Sequence, residues 1–459
     1  FSSGSRGRGN LSSTANPYFL FPQIYNFRYN IYSSEWPVAN RAIELYLQKK
    51  SENEGWERQI NGLSHNEKAN LLLEKHTFKE LLADVEQRNL QNNIVGLEAS
   101  RLFARSEINM GVDAFRDSLY AMLKRNTFLN IKFENMLDTL GEMSRTDLYS
   151  YLKEWEQLTP LPFYSIGEPE LTKVVNKGGE EFFVLKVLVS NNSDYDGIIQ
   201  MNVLQNGWWY QPMEDPRARK KVEIAAHTSK EFVSVWEEQI RDVEINTMVS
   251  GNLPYMIRQS IGNVKQERNK IVKDTIYTLP ESSLEMPGEV IVDNEDSTLF
   301  VLSTPAVVGL LPKWLDKVED TSFKYSGISW WRAPLQWTAT TNAKYYGKYI
   351  RSAYVIKSGD GSQTATWKIP VPEAGQYELY YHVFKDDELR WNDRLQGEYH
   401  FRVAYDSEME DAYINLRKAN EGWEQLGTYY FSADTVRVVL TDECKLRSVT
   451  ADAVKIVKR

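Results

Sequence analysis

The chain contains very little cysteine and histidine, with one cysteine and five histidines in 459 residues. Because Cys444 is alone, no internal disulfide can form, and bridge-free proteins occur both inside and outside the cytosol. No two histidines stand four residues apart, so the His-Glu-x-x-His helix that holds catalytic zinc in many peptidases is absent. We therefore expect this chain to hold no catalytic zinc.

Long apolar runs and an excess of positive charge are missing as well. No run approaches the roughly 18 residues of a membrane span. The 63 acidic and 54 basic residues give a net charge of -9, whereas nucleic-acid binding needs a basic face that displaces counterions. We expect a chain that does not span a membrane and has no nucleic-acid partner.

Motifs of other enzyme classes are also lacking. The sequence has no Gly-x-Ser-x-Gly elbow, Walker loop or dinucleotide fingerprint. Cys444 has no neighbouring signal for activation, and the acidic residues are too numerous for two of them to be chosen as a glycosidase pair. We assign no catalytic residue and no cofactor, and whether a longer parent protein is an enzyme stays open.

The length indicates several domains, since a domain usually has about 100 to 200 residues. The chain begins at Phe1 with a stretch rich in Ser, Gly and Arg, and we interpret it as a processed product or the C-terminal portion of a longer protein. The expected fold class is multidomain α+β. It comprises a flexible segment (1–35), an N-terminal helical bundle (36–160), a small middle β-sandwich (161–285) and a C-terminal β-sandwich jelly roll (286–459).

The helical prediction depends on periodicity and on helix-start signals. Phe115, Leu119 and Leu123 recur at helical spacing and form an apolar stripe. Residues 77–80 and 144–147 each have the Ser/Thr-x-x-acid pattern of a capping box. These signals predict five or more helices.

After Pro162 the pattern changes to short alternating strands. Strand signals occur at 182–189, 198–203, 222–224, 232–236 and 243–247, and residues 191–197 form a turn-rich cluster. This spacing predicts a small sandwich.

The C-terminal third shows the clearest alternation. Ala365, Trp367 and Ile369 share one face of a predicted strand, and a Pro/Gly loop separates them from a second alternating run at 377–383. Further runs lie at 401–405 and 436–440. Antiparallel sheets packed face to face would bury these positions.

Several phrases in this region resemble the golvesin C-terminal-like domain family, whose modules are jelly rolls often labelled xanthan-lyase-like. The phrases are residues 358–363, Ala365-Thr-Trp, Ala374-Gly-Gln-Tyr, Gly422-Trp, residues 426–431 and Ala451-Asp-Ala-Val-Lys. The resemblance covers roughly Glu289 to Arg459 and implies a fold related to carbohydrate-binding modules. Trp367 and Trp423 lie within these phrases, and we assign both to the core.

The helical region is similar, more weakly, to the part of gluzincin aminopeptidases that follows their zinc helix. The similarity depends on residues 97–105, 110–119 and 144–155, and extends over about 96–247. It places Gly96 where those enzymes have the oxyanion-stabilising tyrosine and Glu98 where a lysine is usual. The resemblance therefore implies a chain that carries no part of a peptidase active site.

Aromatic residues in turn-rich sequence are the candidate binding residues. Sugars stack their apolar faces on exposed Trp and Tyr rings. We select Trp330, Trp331, Trp337, Tyr345, Tyr346 and Trp391. Core packing is the competing interpretation for each of them.

Clustered acidic residues give one weaker candidate, a structural Ca²⁺ site. Asp293 and Asp296 lie in a run of four oxygen-bearing side chains, which a hard cation could use as ligands. A simple turn explains the same residues.

Together these expectations describe the non-catalytic C-terminal portion of a bacterial cell-envelope peptidase-like protein that acts in binding or assembly. It would be periplasmic or exposed at the cell surface, and its partners would be other domains or subunits of a larger envelope protein. Two alternatives stay open. One is a glycan-binding module of a surface protein, and the other is a structural subunit that docks to partner envelope proteins through an exposed apolar patch.

Overall fold

The protein is multidomain and β-rich, with several sheets and a few helices. The computed structural model describes residues 30–48, 54–175, 178–204, 215–262, 264–268, 272–282, 284, 288–303, 323–328, 333–385, 397–406 and 408–459. No helix among these residues is long and apolar enough to cross a membrane.

The described part of the N-terminal region is mainly helical. Its helices are α1 (Ala39–Leu47), α2 (Glu54–Asn61), α3 (His65–Leu73), α4 (Phe78–Ala83), α5 (Gln91–Met110), α6 (Val112–Arg125), α7 (Phe133–Ser144) and α8 (Leu148–Lys153), followed by a 3₁₀ turn at Glu154–Glu156. Two short strands, β1 (Asn30–Tyr32) and β2 (Asn130–Lys132), pair in parallel. The predicted stripe on α6 is buried, with Phe115 and Leu119 both at 0% exposure.

Capping explains where these helices start. Thr77 accepts the Glu80 amide in a complete capping box, as predicted, and Ser64 forms a second box with Glu67. The capping box predicted at 144–147 is wrong, because Ser144 ends α7 and Asp147 alone caps α8 by accepting the Ser150 amide.

The middle region is built from two sheets around one apolar core. Its strands are β3 (Tyr164–Ile166), β4 (Glu170–Val175), β5 (Glu181–Asn191), β6 (Gly197–Leu204), β7 (Arg219–Ile224), β8 (Thr228–Trp236), β9 (Asp242–Asn246), β10 (Met256–Ser260), β11 (Val264–Arg268) and β12 (Thr275–Pro280). One sheet has the order β11-β4-β5-β8-β12 with β3 beside β5, and the other has the order β10-β9-β6-β7.

The C-terminal region contains β13 (Glu289–Val292), β14 (Phe300–Leu302), β15 (Thr338–Thr341), β16 (Ser352–Lys357), β17 (Thr364–Pro370), β18 (Gly375–Val383), β19 (Glu398–Tyr405), β20 (Glu408–Asn415), β21 (Gly422–Phe431), β22 (Thr435–Thr441), β23 (Ser448–Ala451) and β24 (Val454–Lys458). Three sheets result, with the orders β13-β24-β18-β21, β14-β17-β22-β19-β20 and β15-β16-β23. The first two contribute side chains to one core, in which Trp367 is 0% exposed, as its alternation predicts.

Close backbone approaches join the three regions. The C-terminal Gly327 lies against the end of α2, where an added Cβ would be 1.9 Å from the Ile60 carbonyl oxygen. Leu253 of the middle region exchanges backbone hydrogen bonds with Tyr349 and Arg351, at 3.0 and 2.6 Å. A small apolar cluster therefore includes side chains from all three regions, namely Leu63, Leu253, Tyr325 and Ala339.

Candidate functional site

Three of the six candidate rings, Trp330, Trp331 and Trp391, lie outside the described residues. The structure therefore places only Trp337, Tyr345 and Tyr346.

These three rings have different surroundings. Trp337 is half-buried and packs on the C-terminal core. Tyr345 is 6% exposed, and its ring meets that of Phe384 edge-on at 4.7 Å. Tyr346 is half-buried at the surface of the domain. Of the three, Tyr346 is the best placed to meet a ligand.

Tyr346 belongs to a cluster of three rings. Its centroid lies 5.0 Å from that of Trp423 and 5.8 Å from that of His382, and the His382 and Trp423 rings are 5.1 Å apart. Trp423 is half-buried, so its assignment to the core is wrong. The cluster thus combines a predicted binding residue, Tyr346, with two residues that the sequence did not identify as binding residues.

Strand register brings His382 and Trp423 together. They are direct partners in the antiparallel pair β18–β21. On β18 the residues Tyr377, Leu379, Tyr381 and Val383 point into the core, so Tyr380 and His382 point outward. On β24, the Lys455 ammonium lies over the rings of Trp423 and Tyr380, at 4.9 and 5.3 Å from their centroids. We call Tyr346, Tyr380, His382, Trp423 and Lys455 the aromatic face.

A buried carboxylate, that of Asp452, contacts two residues of the aromatic face. Asp452 is 0% exposed. It lies 2.8 Å from His382 Nδ1 and accepts the Tyr346 amide at 3.1 and 3.2 Å. Burial raises the pKa of the Asp452 carboxyl, while the adjacent His382 opposes that rise in pKa. Because one carboxyl group contacts both, Asp452 fixes His382 and the Tyr346 backbone relative to each other.

Polar groups also line the aromatic face. Tyr380 donates its hydroxyl proton to Glu378 at 2.6 Å, and that hydrogen bond raises the pKa of Tyr380. Lys455 forms an ion pair with Glu289 at 2.7 Å. Gln425, the strand partner of Tyr380 on β21, is exposed. Carboxylate, amide and imidazole groups therefore lie next to ring surface, which suits a ligand with both apolar and hydroxyl-bearing faces.

The two calcium candidates have structural roles in a turn. Asp296 accepts the amides of Thr298 and Leu299, at 3.2 and 3.3 Å. Burial, and then the charge of Asp452, raise the pKa of Asp293 well above its usual value. Within the described ranges, no group of three His, Cys, Asp or Glu side chains is placed to hold a metal ion.

The sequence contained a partial signal for this site. Asp452 interrupts the apolar phrase Ala451-Asp-Ala-Val-Lys, and such an interruption marks a buried polar residue that needs a partner. The partner itself could not be identified from the sequence, because His382 lies 70 residues earlier in the chain. The alternation of apolar and polar residues does not specify which residues of two strands lie opposite each other.

Comparison with solved structures gives matches of low structural similarity. Two solved structures of β-glucuronidases from Bacteroides uniformis each match with 11% identity and a TM-score of 0.19, covering 69% and 68% of this chain. The chain spans about a third of the length of these enzymes, 32% and 31% respectively. The atomic structure of Sulfolobus turreted icosahedral virus matches with 10% identity and a TM-score of 0.14, covering 65% of this chain and 92% of the viral chain. Such values establish neither a common fold nor a common activity.

A search of curated proteins gives no match, and none of these comparisons supports the resemblance to gluzincin aminopeptidases. A family model does match the C-terminal part of the chain. The matched range is shorter than the range of the sequence resemblance, which begins at Glu289. Residues 331–458 match the Golvesin C-terminal domain family, which confirms the C-terminal resemblance for that range.

Proposed function

We propose that the C-terminal region is a non-catalytic carbohydrate-binding module that recognises a glycan through the aromatic face. The observation that carries the proposal is the adjacency of two half-buried rings, Tyr346 and Trp423, with centroids 5.0 Å apart. In this proposal the protein is periplasmic or exposed at the bacterial cell surface, and its glycan belongs to the cell envelope.

The chemistry of the aromatic face fits a sugar better than an apolar ligand. Pyranose C–H groups pack on ring faces, and sugar hydroxyls need donors and acceptors beside those rings. Glu378 and Gln425 supply such groups at the neighbouring register positions of β18 and β21. The match of residues 331–458 to the Golvesin C-terminal domain family supports a binding module.

Recognition by open stacking is expected to be weak. A half-buried ring pair without a deep pocket leaves much of the ligand in water. We expect dissociation constants from millimolar to high micromolar, about 4 to 6 kcal/mol. A larger parent protein of peptidase-like character is compatible with this role and stays part of the proposal.

Docking to a partner envelope protein is the second candidate. Edge strands β20 and β21 expose Met409 (63%), Tyr413 (58%) and Tyr430 (61%). Exposed apolar side chains on edge strands are typical of surfaces that pair with another chain.

A glycan array distinguishes glycan binding from docking to a partner protein. The full chain, carrying an affinity tag, would be applied to bacterial envelope glycans, and hits would be measured by calorimetry. We expect at least one glycan to bind at millimolar concentration or below. Absence of binding at these concentrations, together with loss of Met409, Tyr413 and Tyr430 exposure in a complex with another protein, would favour docking.

A further inference from the structure

The turn between α6 and β2 holds two apolar side chains in water. Phe128 is 81% exposed, the highest value among the large apolar side chains of the described residues, and the adjacent Leu129 is 56% exposed. Single exposed apolar residues are common on protein surfaces, but removing two neighbouring ones of this size from water is clearly favourable. The tip of this turn is therefore a candidate contact surface.

The backbone of the turn is unusual for an aromatic residue. Phe128 has a φ of 65°, in the left-handed region that Gly and Asn adopt readily and bulky residues rarely do. The Leu129 amide donates to the Asn126 carbonyl at 3.0 Å, which places Phe128 at the third position of a β-turn. A strained backbone at an exposed residue is a pointer to function, because packing of the Phe128 side chain does not explain it.

Buried residues hold the turn in place from both ends. Leu123 on α6 and Ile131 on β2 both belong to the core of the helical region. The Thr127 hydroxyl donates to the Lys124 carbonyl at 2.6 Å, and the Asn30 amide of β1 donates to the Leu129 carbonyl at 3.3 Å. Phe128 and Leu129 can therefore enter another phase without any loss of core packing.

The charge around the turn is positive, although the whole chain has a net charge of -9. Residues 118–133 contain Lys124, Arg125 and Lys132 and no Asp or Glu, and all three cations are exposed. Lys124 and Arg125 form no ion pair with any residue that the structure describes, and the Lys132 ammonium lies only within 3.8 Å of Glu134. The cations beside the apolar tip are thus available to an anionic partner.

Two exposed tyrosines lie beside these cations. Tyr32 is the direct partner of Lys132 in the parallel pair β1–β2, and Tyr120 precedes Lys124 by one turn on α6. Both rings are exposed. Tyrosine is favoured at membrane–water boundaries, where its ring contacts apolar groups and its hydroxyl stays in water.

We propose that this turn is a membrane-contact site, through which the protein binds the surface of a bilayer that contains anionic lipids. Phe128 and Leu129 enter the boundary between head groups and acyl chains, and Lys124, Arg125 and Lys132 contact lipid phosphates. A stable protein interface needs about 800 Å² on each partner, which a tip with two apolar side chains does not supply. The site is independent of glycan binding at the aromatic face.

Sedimentation of the full chain with lipid vesicles tests the charge requirement. The probes are vesicles of phosphatidylcholine alone and vesicles in which about one third of the lipid is phosphatidylglycerol. We expect about ten-fold stronger binding to the anionic vesicles, and loss of this preference at about 0.5 M salt. Equal binding to both vesicles, or no binding to either at about 1 mM lipid, would overturn the proposal.

Phe128→Asn tests the location, with Met409→Asn as the matched control. Met409 is an exposed apolar residue of β20 that lies between Glu408 and Glu410. We expect Phe128→Asn to weaken binding to anionic vesicles about ten-fold and Met409→Asn to leave it unchanged. Because Asn tolerates a positive φ, Phe128→Asn should not lower the thermal midpoint, so weaker binding would not come from unfolding. Unchanged binding in Phe128→Asn, or equal weakening in both variants, would contradict the proposal.

A paired charge substitution tests the cations. The variant combines Lys124→Gln with Arg125→Gln, and the control combines Lys357→Gln with Lys418→Gln, two exposed lysines of the C-terminal region. We expect the variant to lose about ten-fold in binding to anionic vesicles and the control to lose none. Equal loss in both would show a non-specific charge effect. A full chain that binds no vesicle but forms a dimer, which Phe128→Asn dissociates in sedimentation velocity, would show that the turn joins two copies and would overturn the proposal.

Discussion

Two tryptophans from the same family phrases have opposite surroundings. Trp367 is 0% exposed, whereas Trp423 is half-buried on the aromatic face. Alternation predicted the Trp367 side of β17 correctly because apolar residues occupy every second position there. On β21 the residues next to Trp423 do not alternate clearly, and the partner His382 is set by register, so the sequence could not identify this part of the site.

Trp367→Ala is expected to destabilise the protein by about 3 to 5 kcal/mol, because it would leave a large cavity in a closely packed core. The indole also donates to the Asp452 carbonyl at 3.2 Å. Urea denaturation of wild type and variant measures this difference. A loss below about 1 kcal/mol would contradict the burial of this ring.

Asp293→Asn is expected to make the protein more stable at neutral pH. Burial raises the pKa of Asp293, so the folded state holds its proton more tightly than the unfolded state, where the pKa is about 3.9. The stabilising effect of the proton is complete below that pH and is lost as pH rises through the folded-state pKa. Asn is neutral throughout and keeps an acceptor for the Asn294 amide, which lies 2.7 Å from Asp293 Oδ1.

Thermal midpoints of wild type and Asp293→Asn between pH 4 and 8 test this difference. We expect the two curves to meet near pH 4 and to separate in favour of the variant at pH 8. A variant that is less stable than wild type at pH 8 would show that the ionised carboxylate has a stabilising partner.

Local signals predicted many of the helices and strands. The cap at Thr77 and the middle strands β5, β6 and β8 coincide with the predicted segments. Contacts between distant elements had no such signal. Gly327 and the end of α2 meet through backbone atoms that carry no sequence pattern, and neither glycine of this contact, Gly62 or Gly327, stood out in the chain.

Gly327→Ala is expected to destabilise the contact between the helical and C-terminal regions by about 1 to 3 kcal/mol, because its Cβ would overlap the Ile60 carbonyl and force the backbones apart. Gly262→Ala is the control, since an added Cβ there meets nothing within 4 Å. Urea denaturation of both variants is the measurement. Equal stability of the two variants would contradict the close approach.

At the scale of the whole molecule, the sequence indicated the order of a helical region followed by two β regions. The domain limits at 35, 160 and 285 stay predictions, because the regions touch one another and none has been separated.

The segment from Glu289 to Arg459 is expected to fold when expressed alone, because its sheets enclose a core of their own. Its thermal transition should be cooperative. The midpoint should be lower than in the full chain, because Tyr325 and Ala339 would lose their contacts with Leu63 and Leu253. Differential scanning calorimetry of the isolated segment and of the full chain measures the two transitions. A product without a cooperative transition would mean that the middle region completes the C-terminal core.

The most direct test of the proposed function is a titration of the full chain with the best array glycan, using wild type, Trp423→Ala and Tyr413→Ala. Tyr413 is an exposed ring on β20, outside the aromatic face, and therefore a matched control. The account predicts that Trp423→Ala weakens binding at least ten-fold, about 1.4 kcal/mol, and that Tyr413→Ala leaves it unchanged. Unchanged binding in Trp423→Ala, with the variant folded as judged by circular dichroism, would contradict the aromatic face as the glycan site.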